Sequence, residues 1–292
     1  MIELINIQKE INQVKMLDNL SFKIPNACIF GVLTDNKQSA STLLRLISGC
    51  ITANSGYLYI DGQPVFDNLN IKENIFLVAS DPFFIHNTTI KDMRAYYRLF
   101  YPDFDEEIFT KLLKLFNLKK NTRIDYLTLA TRKQAALSFA LALRAKYLLI
   151  DDLFFCISEA QKLVIIEIFK NNVEEFGQTI IISSTLATEL NNLCDGFVLI
   201  NKNKLILEHT NQEAINNLFK VQIIFANNQQ IDLSELNIIS ENLEGIVCTL
   251  LINSDKEKII KFLEKIKPLK YSFINPNLSE ISQFYLGVNH EI

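Results

Sequence analysis

Four unbroken apolar runs constrain this chain more than any other feature: CIFGVL (28–33), YLLID (147–151), TIIISS (179–184) and GFVLIN (196–201). None alternates apolar with polar residues, so each reads as a strand covered on both faces. IFLVAS (75–80) reads the same way. Helical patterns separate them. RKQAALSFALALRAK (132–146) runs into the strand at 147, a helix over 158–176 precedes the strand at 179, and LATELNNL precedes GFVLIN. Covered strands alternating with helices predict an α/β domain built on a largely parallel sheet.

The flanks have other patterns. Residues 2–7 and LDNLSFKIP (17–25) alternate, and GYLYIDGQPVFD (56–67) reads as strand, Asp-Gly turn and strand. These predict an antiparallel β subdomain. Residues 83–146 read as a helical subdomain with a break at Pro102. Beyond 218, VQIIFA, GIVCTLLI and YSFIN read as strands and SDKEKIIKFLEKIK as an amphipathic helix. The chain thus divides into a large domain, 1–217, and a small C-terminal α+β domain, 218–292. A closing helix over 277–287 is expected to end on Gly287.

Composition excludes several functions. The net charge is −4 with no basic block, which argues against a nucleic-acid partner. No apolar segment reaches 18 residues, so no transmembrane helix is expected, and MIELINIQKE alternates like a strand rather than a signal peptide. Cys28, Cys50, Cys156, Cys194 and Cys248 are scattered, mostly in apolar runs, and read as buried reduced thiols of a cytosolic protein. His86, His209 and His290 lack metal-ligand spacing.

Residues 31–49, GVLTDNKQSASTLLRLISG, hold the central puzzle. Strand, loop and helix have the dimensions of a phosphate-binding loop, written G-x-x-x-x-G-K-[ST]. That pattern puts Thr34 and Ser39 where glycines belong and Ala40 where the lysine belongs. Only Ser41 survives. The helix is expected from Ser41 to Cys50. Glycine is scarce throughout, with 8 in 292 residues, although backbone that must approach phosphate needs it.

The order of elements around this stretch resembles the ATP-binding subunit of bacterial ATP-binding-cassette (ABC) transporters. LDNLSFKIPNACIFGVL resembles the strands leading to that family's phosphate loop. STLLRLISGCITANSGYLYIDGQPV is similar to its following helix and hairpin. RKQAALSFALALRAKYLLIDD resembles its signature helix and Walker B strand, and LCDGFVLINKNKLI the stretch after its switch histidine. FYPDFDEEIFTKLLKLFNL and NPNLSEISQFYLG are similar to the subgroup serving exporters of lipids, peptides and antibiotics. The resemblance implies a P-loop NTPase-like cassette that binds ATP and Mg²⁺, pairs head to tail, and docks on an integral membrane permease at the inner face of the membrane.

Position by position, the same resemblance implies a degenerate site. Ile11 stands where the family stacks an aromatic residue on adenine. Thr34, Lys37 and Ser39 replace three glycines, and Ala40 replaces the phosphate lysine. Ser41 and Thr42 keep the hydroxyls that face Mg²⁺, or serve as helix caps. Lys37 reads as a solvated loop lysine. Ser80 replaces the glutamine that reaches the metal and the attacking water. Thr128, Leu129, Ala130, Thr131 and Arg132 occupy the five signature positions without its serine or glycines, and Arg132 reads as a surface residue. Asp151 stands at the metal position. Asp152 stands at the general-base position, one methylene short of the family's glutamate. Thr185 stands at the switch histidine, and Ser158 replaces an aspartate that communicates across the dimer. The implied result is weak or absent ATP binding and lost or very slow hydrolysis.

Three readings remain open at this point. The chain is a degenerate nucleotide-binding subunit under an exporter permease, paired with a second, intact cassette. Alternatively it is a regulatory or scaffolding protein that uses the fold without ATP. A third reading is an atypical ATPase using Asp151, Asp152 and Ser41. In the first, the groove near Pro82–Phe104 is expected to receive the permease; its aromatics (Phe83, Phe84, Tyr96, Tyr97, Phe100, Tyr101) fit a partner surface, though core packing explains most of them.

Overall fold

The computed structural model describes residues 1–210, 218–225 and 235–286. Its contacts divide the chain into two units, Met1–Glu208 and His209–Ile292.

The first unit begins with a hairpin, β1 (Ile2–Ile11) and β2 (Val14–Ile24). There follow β3 (Ile29–Thr34), α1 (Lys37–Ile47), β4 (Ser55–Ile60), β5 (Gln63–Pro64), α2 (Leu69–Lys72) and β6 (Ile75–Val78). The helical stretch holds α3 (Ile90–Phe100), α4 (Glu106–Leu115) and α5 (Leu129–Ala142). Then come β7 (Tyr147–Asp151), α6 (Glu159–Phe176), β8 (Thr179–Ser184), α7 (Ala187–Leu190), β9 (Gly196–Asn201) and β10 (Lys204–Thr210).

The predicted parallel sheet is present, in the order β10-β9-β3-β8-β7-β6. Parallel registers join β3 to β8 and β9, and β7 to β6 and β8. Every residue of β3, β7 and β8 is buried, as unbroken apolar runs require. A second, antiparallel sheet has the order β2-β1-β4-β5.

Helix α1 joins the two sheets. Leu43, Leu44 and Ile47 lie in one core with Leu17 and Leu20 of β2 and Phe30 and Val32 of β3. Fully burying such a side chain contributes about 1.5–3 kcal/mol. The helix is therefore needed by the core, whatever its first turn does. Gly31 has a similar constraint. A Cβ there would meet Cys194 Sγ at 3.0 Å and Leu190 and Phe197 at 3.3 Å, so β3 packs closely against the segment leading into β9.

Pro102 breaks the helical stretch as expected. Helix α3 ends at Phe100, and the Asp105 side chain caps α4 by accepting from Glu107 and Ile108. Phe84, Tyr97 and Phe109 converge on Phe139 of α5. Core packing accounts for three of the six aromatics near Pro82–Phe104: Phe84 is buried, Tyr97 packs on Phe139, and the Tyr101 hydroxyl donates to Ile75 O at 3.3 Å.

The second unit contains β11 (Leu218–Ile224), β12 (Ile238–Glu244), β13 (Val247–Asn253), α8 (Lys256–Ile266), β14 (Lys270–Ile274) and α9 (Leu278–Leu286). Its antiparallel sheet has the order β12-β13-β11-β14 and carries its own core around Val221, Ile223, Leu250, Ile252, Ile259 and Leu263. Strand β12 has no counterpart in the sequence reading. It is an edge strand of sequence IISENLE, mostly exposed, and has no buried face to give it alternation. Gly287 lies outside the described residues. Among the described cysteines, Cys28 and Cys248 are buried and Cys194 is partly so, but Cys50 is exposed, contrary to its apolar-run reading. No described helix is long and apolar enough to cross a membrane.

Candidate functional site

The helix after β3 begins at Lys37, four residues before the expected start. The cause is Asn36. Its backbone is extended, and its side-chain oxygen accepts from Gln38 N at 2.9 Å, as a helix cap does. Its carbonyl accepts from Ser39 N at 3.1 Å and Ala40 N at 3.2 Å. Residues 37–40 are thereby wound into the first turn of α1. The capping role offered to Ser41 and Thr42 belongs to Asn36. Thr42 Oγ1 instead donates back to Gln38 O at 2.7 Å.

The substituted loop positions each find a partner inside the chain. Thr34 is buried and its hydroxyl accepts from Asn36 N at 3.2 Å. Asp35 accepts from Lys202 N at 3.1 Å. Ser39 is buried and donates to Asn203 Oδ1 at 2.6 Å, while Asn203 Nδ2 donates to Lys15 O at 2.8 Å. Ala40 is buried. Lys37 keeps the expected exposure, its side chain 63% accessible, and its ammonium lies 3.0 Å from Asp152 Oδ2.

The end of β7 faces this helix. Asp151 is buried and pairs in register with Ser183 of β8. Its Oδ1 accepts from Ser183 Oγ at 2.7 Å and its Oδ2 from Ser41 Oγ. Asp152 follows in the left-handed region, at φ 54 and ψ 60. Its N–H donates to Ser183 O at 3.2 Å, and its carbonyl accepts from the Lys133 ammonium.

The other predicted positions lie around this cluster. Ile11 is the last residue of β1 and packs against the core. Ser80 is exposed in the bend after β6. Thr128 caps α5, accepting from Thr131 N; Leu129 is exposed, while Ala130 and Thr131 are partly buried. Arg132 is not a free surface residue, since its guanidinium lies 3.6 Å from Asp81. Thr185 is partly buried after β8, beside a turn in which Ser184 Oγ accepts from Leu186 N. Ser158 caps α6 through a reciprocal box with Gln161.

Asn36, Lys133, Ser183 and Asn203 belong to the cluster and were not singled out from the sequence. Asn36 was legible, because asparagine just before an apolar-periodic stretch is a helix-start signal. Ser183 and Lys133 gave no local signal. Strand pairing brings in the first, and the packing of α5 brings in the second.

A strand-loop-helix unit on a parallel sheet, an Asp-Asp strand end beside it, an antiparallel layer and a helical insertion together define an ATP-binding cassette. Residues 17–154 match the sequence profile of the ABC transporter family. The ABC transporter ATP-binding protein YtrB of Bacillus subtilis is 26% identical over 282 residues, covering 96% of each chain. The lantibiotic transport ATP-binding protein SrtF of Streptococcus pyogenes is 23% identical over 77% of this chain and 98% of its own. Among solved structures, the dimeric bacterial ABC transporter cassette MJ0796 superposes with a TM-score of 0.63 at 17% identity, over 73% of this chain and all of that one. At that identity the likeness establishes the fold. The chain has the fold of an ABC transporter ATP-binding cassette and is homologous to bacterial ATP-binding proteins such as YtrB.

Proposed function

We propose that this chain is the nucleotide-binding subunit of an exporter-type ABC transporter whose own ATP site no longer binds or turns over nucleotide. The observation that carries this reading is the first turn of α1. In a phosphate loop, free backbone amides and glycines cradle the anion. Here the amides of Gln38, Ser39 and Ala40 are taken by Asn36. Side chains stand at all three glycine positions, and Lys37 bridges to Asp152. The residues present do not fit a triphosphate. At the metal position both oxygens of Asp151 are engaged by the hydroxyls of Ser41 and Ser183.

The remaining function is assembly. Phe83 is 81% exposed, and Tyr96, Leu99 and Phe100 form an exposed stripe at i, i+3 and i+4 on α3. In this reading the stripe and Phe83 receive a cytoplasmic segment of an integral membrane permease. A second, intact cassette supplies hydrolysis, and the chain sits at the inner face of the membrane through the permease. The relatives named for lantibiotic transport support a peptide, lipid or antibiotic-like cargo.

The test is an equilibrium titration of the purified chain with a fluorescent ATP analogue and Mg²⁺. The expected result is no saturation below roughly 1 mM, an affinity worth only about 4 kcal/mol. Saturable micromolar binding overturns the reading. Exchanging Phe83, Leu99 and Phe100 for serine is expected to abolish co-purification with the permease partner.

A further inference from the structure

Asp152 is the most heavily constrained residue of the site, and its constraints come from three separate elements. Strand β8 accepts its N–H through Ser183 O. Helix α1 reaches its carboxylate through Lys37. Helix α5 reaches its carbonyl through Lys133. Its backbone lies in the left-handed region, which aspartate adopts more readily than most side-chain-bearing residues. Lys133 adds a second oddity. It is 3% exposed, and a buried ammonium is retained only where its partners compensate the loss of water.

We propose that Lys37, Asp152 and Lys133 form an internal latch that holds the start of α1 and the start of α5 in fixed relation without any ligand. The inference rests on the reading of the site as nucleotide-free. It goes beyond that reading by assigning Asp152 a new role as a mechanical junction. The chemistry is simple. The carboxylate and the carbonyl of one residue face two different ammonium groups, one on each helix. Both contacts meet at one residue, whose N–H is also held by Ser183 O. The 3.0 Å contact of Lys37 with Asp152 spans the start of α1 and the end of β7.

A latch differs from two unrelated contacts in one measurable way: coupling through Asp152 must be reciprocal. Hydrogen exchange of the full chain, read by mass spectrometry, supplies the test. Lys37→Met is expected to speed exchange not only in the first turn of α1 but also at residues 129–135 of α5, by roughly tenfold. Lys133→Met is expected to speed exchange at residues 38–41 of α1 by a similar factor. Asp152→Asn, which keeps the carbonyl and removes the charge, should reproduce the effect of Lys37→Met, and the double variant should add nothing further. Lys204→Met, which removes an exposed ion pair with Asp18 elsewhere, should change neither segment.

If each substitution alters only its own helix, the latch is refuted. Lys37→Met sits on the surface and leaves the core intact, so the test does not depend on the buried variant folding. A wild-type run with 1 mM Mg–ATP separates the two ideas. Protection of α1 by nucleotide, together with reciprocal effects of the lysine variants, keeps the latch and overturns the nucleotide-free reading. No protection, with reciprocity, supports both.

Discussion

The two ends of β7 hold carboxylates in opposite ways. At its start, the Tyr147 hydroxyl lies 2.8 Å from Asp61 Oδ2, and the Lys146 ammonium lies 2.6 Å from the same oxygen. Asn26 and the Met1 amino group complete the ring of donors. Burial pushes the Asp61 carboxyl up, but the hydrogen bonds from Lys146, the Met1 amino group, Asn26 and Tyr147 outweigh it and hold the carboxyl well below the usual range. At the other end, the buried Asp151 is met by two neutral hydroxyls, Ser41 and Ser183, and the charge of Lys37 goes to Asp152 instead. The first arrangement is a charge clamp between the two sheets. The second is a polar filling, in which hydroxyls stand where the family resemblance puts a cation. One strand thus joins a junction that maintains the fold to a site whose substituted positions make contacts within the chain.

The sharpest way to break the comparison is Tyr147→Ala. Tyr147 is among the largest fully buried side chains, so truncation leaves a cavity and strands Asp61. The first unit's unfolding free energy should fall by about 3–5 kcal/mol in a denaturant titration. A fall below about 1 kcal/mol, the scale of a surface contact, would show that the start of β7 is no clamp.

Asp61→Asn probes the charge rather than the packing. At pH 7 it should cost about 1 kcal/mol, a figure already reduced for solvent screening because Asp61 is partly exposed. Its pH dependence is more telling. The folded pKa lies below the unfolded value of about 3.9. The stabilisation is therefore present above that unfolded value and is lost as pH falls through the folded pKa. Melting temperatures taken between pH 7 and pH 2 should show wild type declining below about pH 4, with a flatter decline in the variant. Parallel curves would remove Asp61 from the acid transition.

These two ends were unequally legible in the sequence. The parallel sheet was legible because CIFGVL, YLLID and TIIISS are buried on both faces, and a run of that kind has few other fates. The loss of glycines and lysine at 34–40 was legible because a motif fixes residue types at fixed spacing. What replaced them was not. The bridge from Lys37 to Asp152 spans 115 residues, and that from Ser39 to Asn203 spans 164. No local pattern encodes such pairs; strand order alone brings them together. The early start of α1 is a different case. Asn36 is a local helix-start signal that the expected start at Ser41 passed over. Exposure on α3 was half legible, since apolar spacing marks a stripe but not which side of it is covered.

At the site end the expected effects are smaller. Asp151→Asn keeps an acceptor for Ser183 and offers a donor to Ser41, whose hydroxyl also accepts. The change should cost about 1 kcal/mol or less in stability and leave the nucleotide titration unaltered. A loss of several kcal/mol would mean that the charge of Asp151 is as structural as that of Asp61, and the contrast between the two ends would close.

The smallest expected effect belongs to Thr185→His, which restores the residue type that the family resemblance puts at the switch position. A positioned acid or base contributes typically 10²–10⁴-fold to a reaction, but it multiplies only the fraction of sites holding substrate. Thr185 follows Ser184 at the end of β8, and Ser184 already orders the turn through Leu186 N, so the backbone there should accept the exchange. In the proposed reading, Asn36 has taken the amides that would hold phosphate and Lys37 pairs with Asp152. A histidine at 185 therefore has nothing to act on, and magnesium-dependent ATP turnover should stay at the level of a protein-free blank. Turnover in this single variant would mean that the loop opens to nucleotide despite its internal contacts, and that the site end of β7 is a suppressed version of the family's site rather than a replaced one.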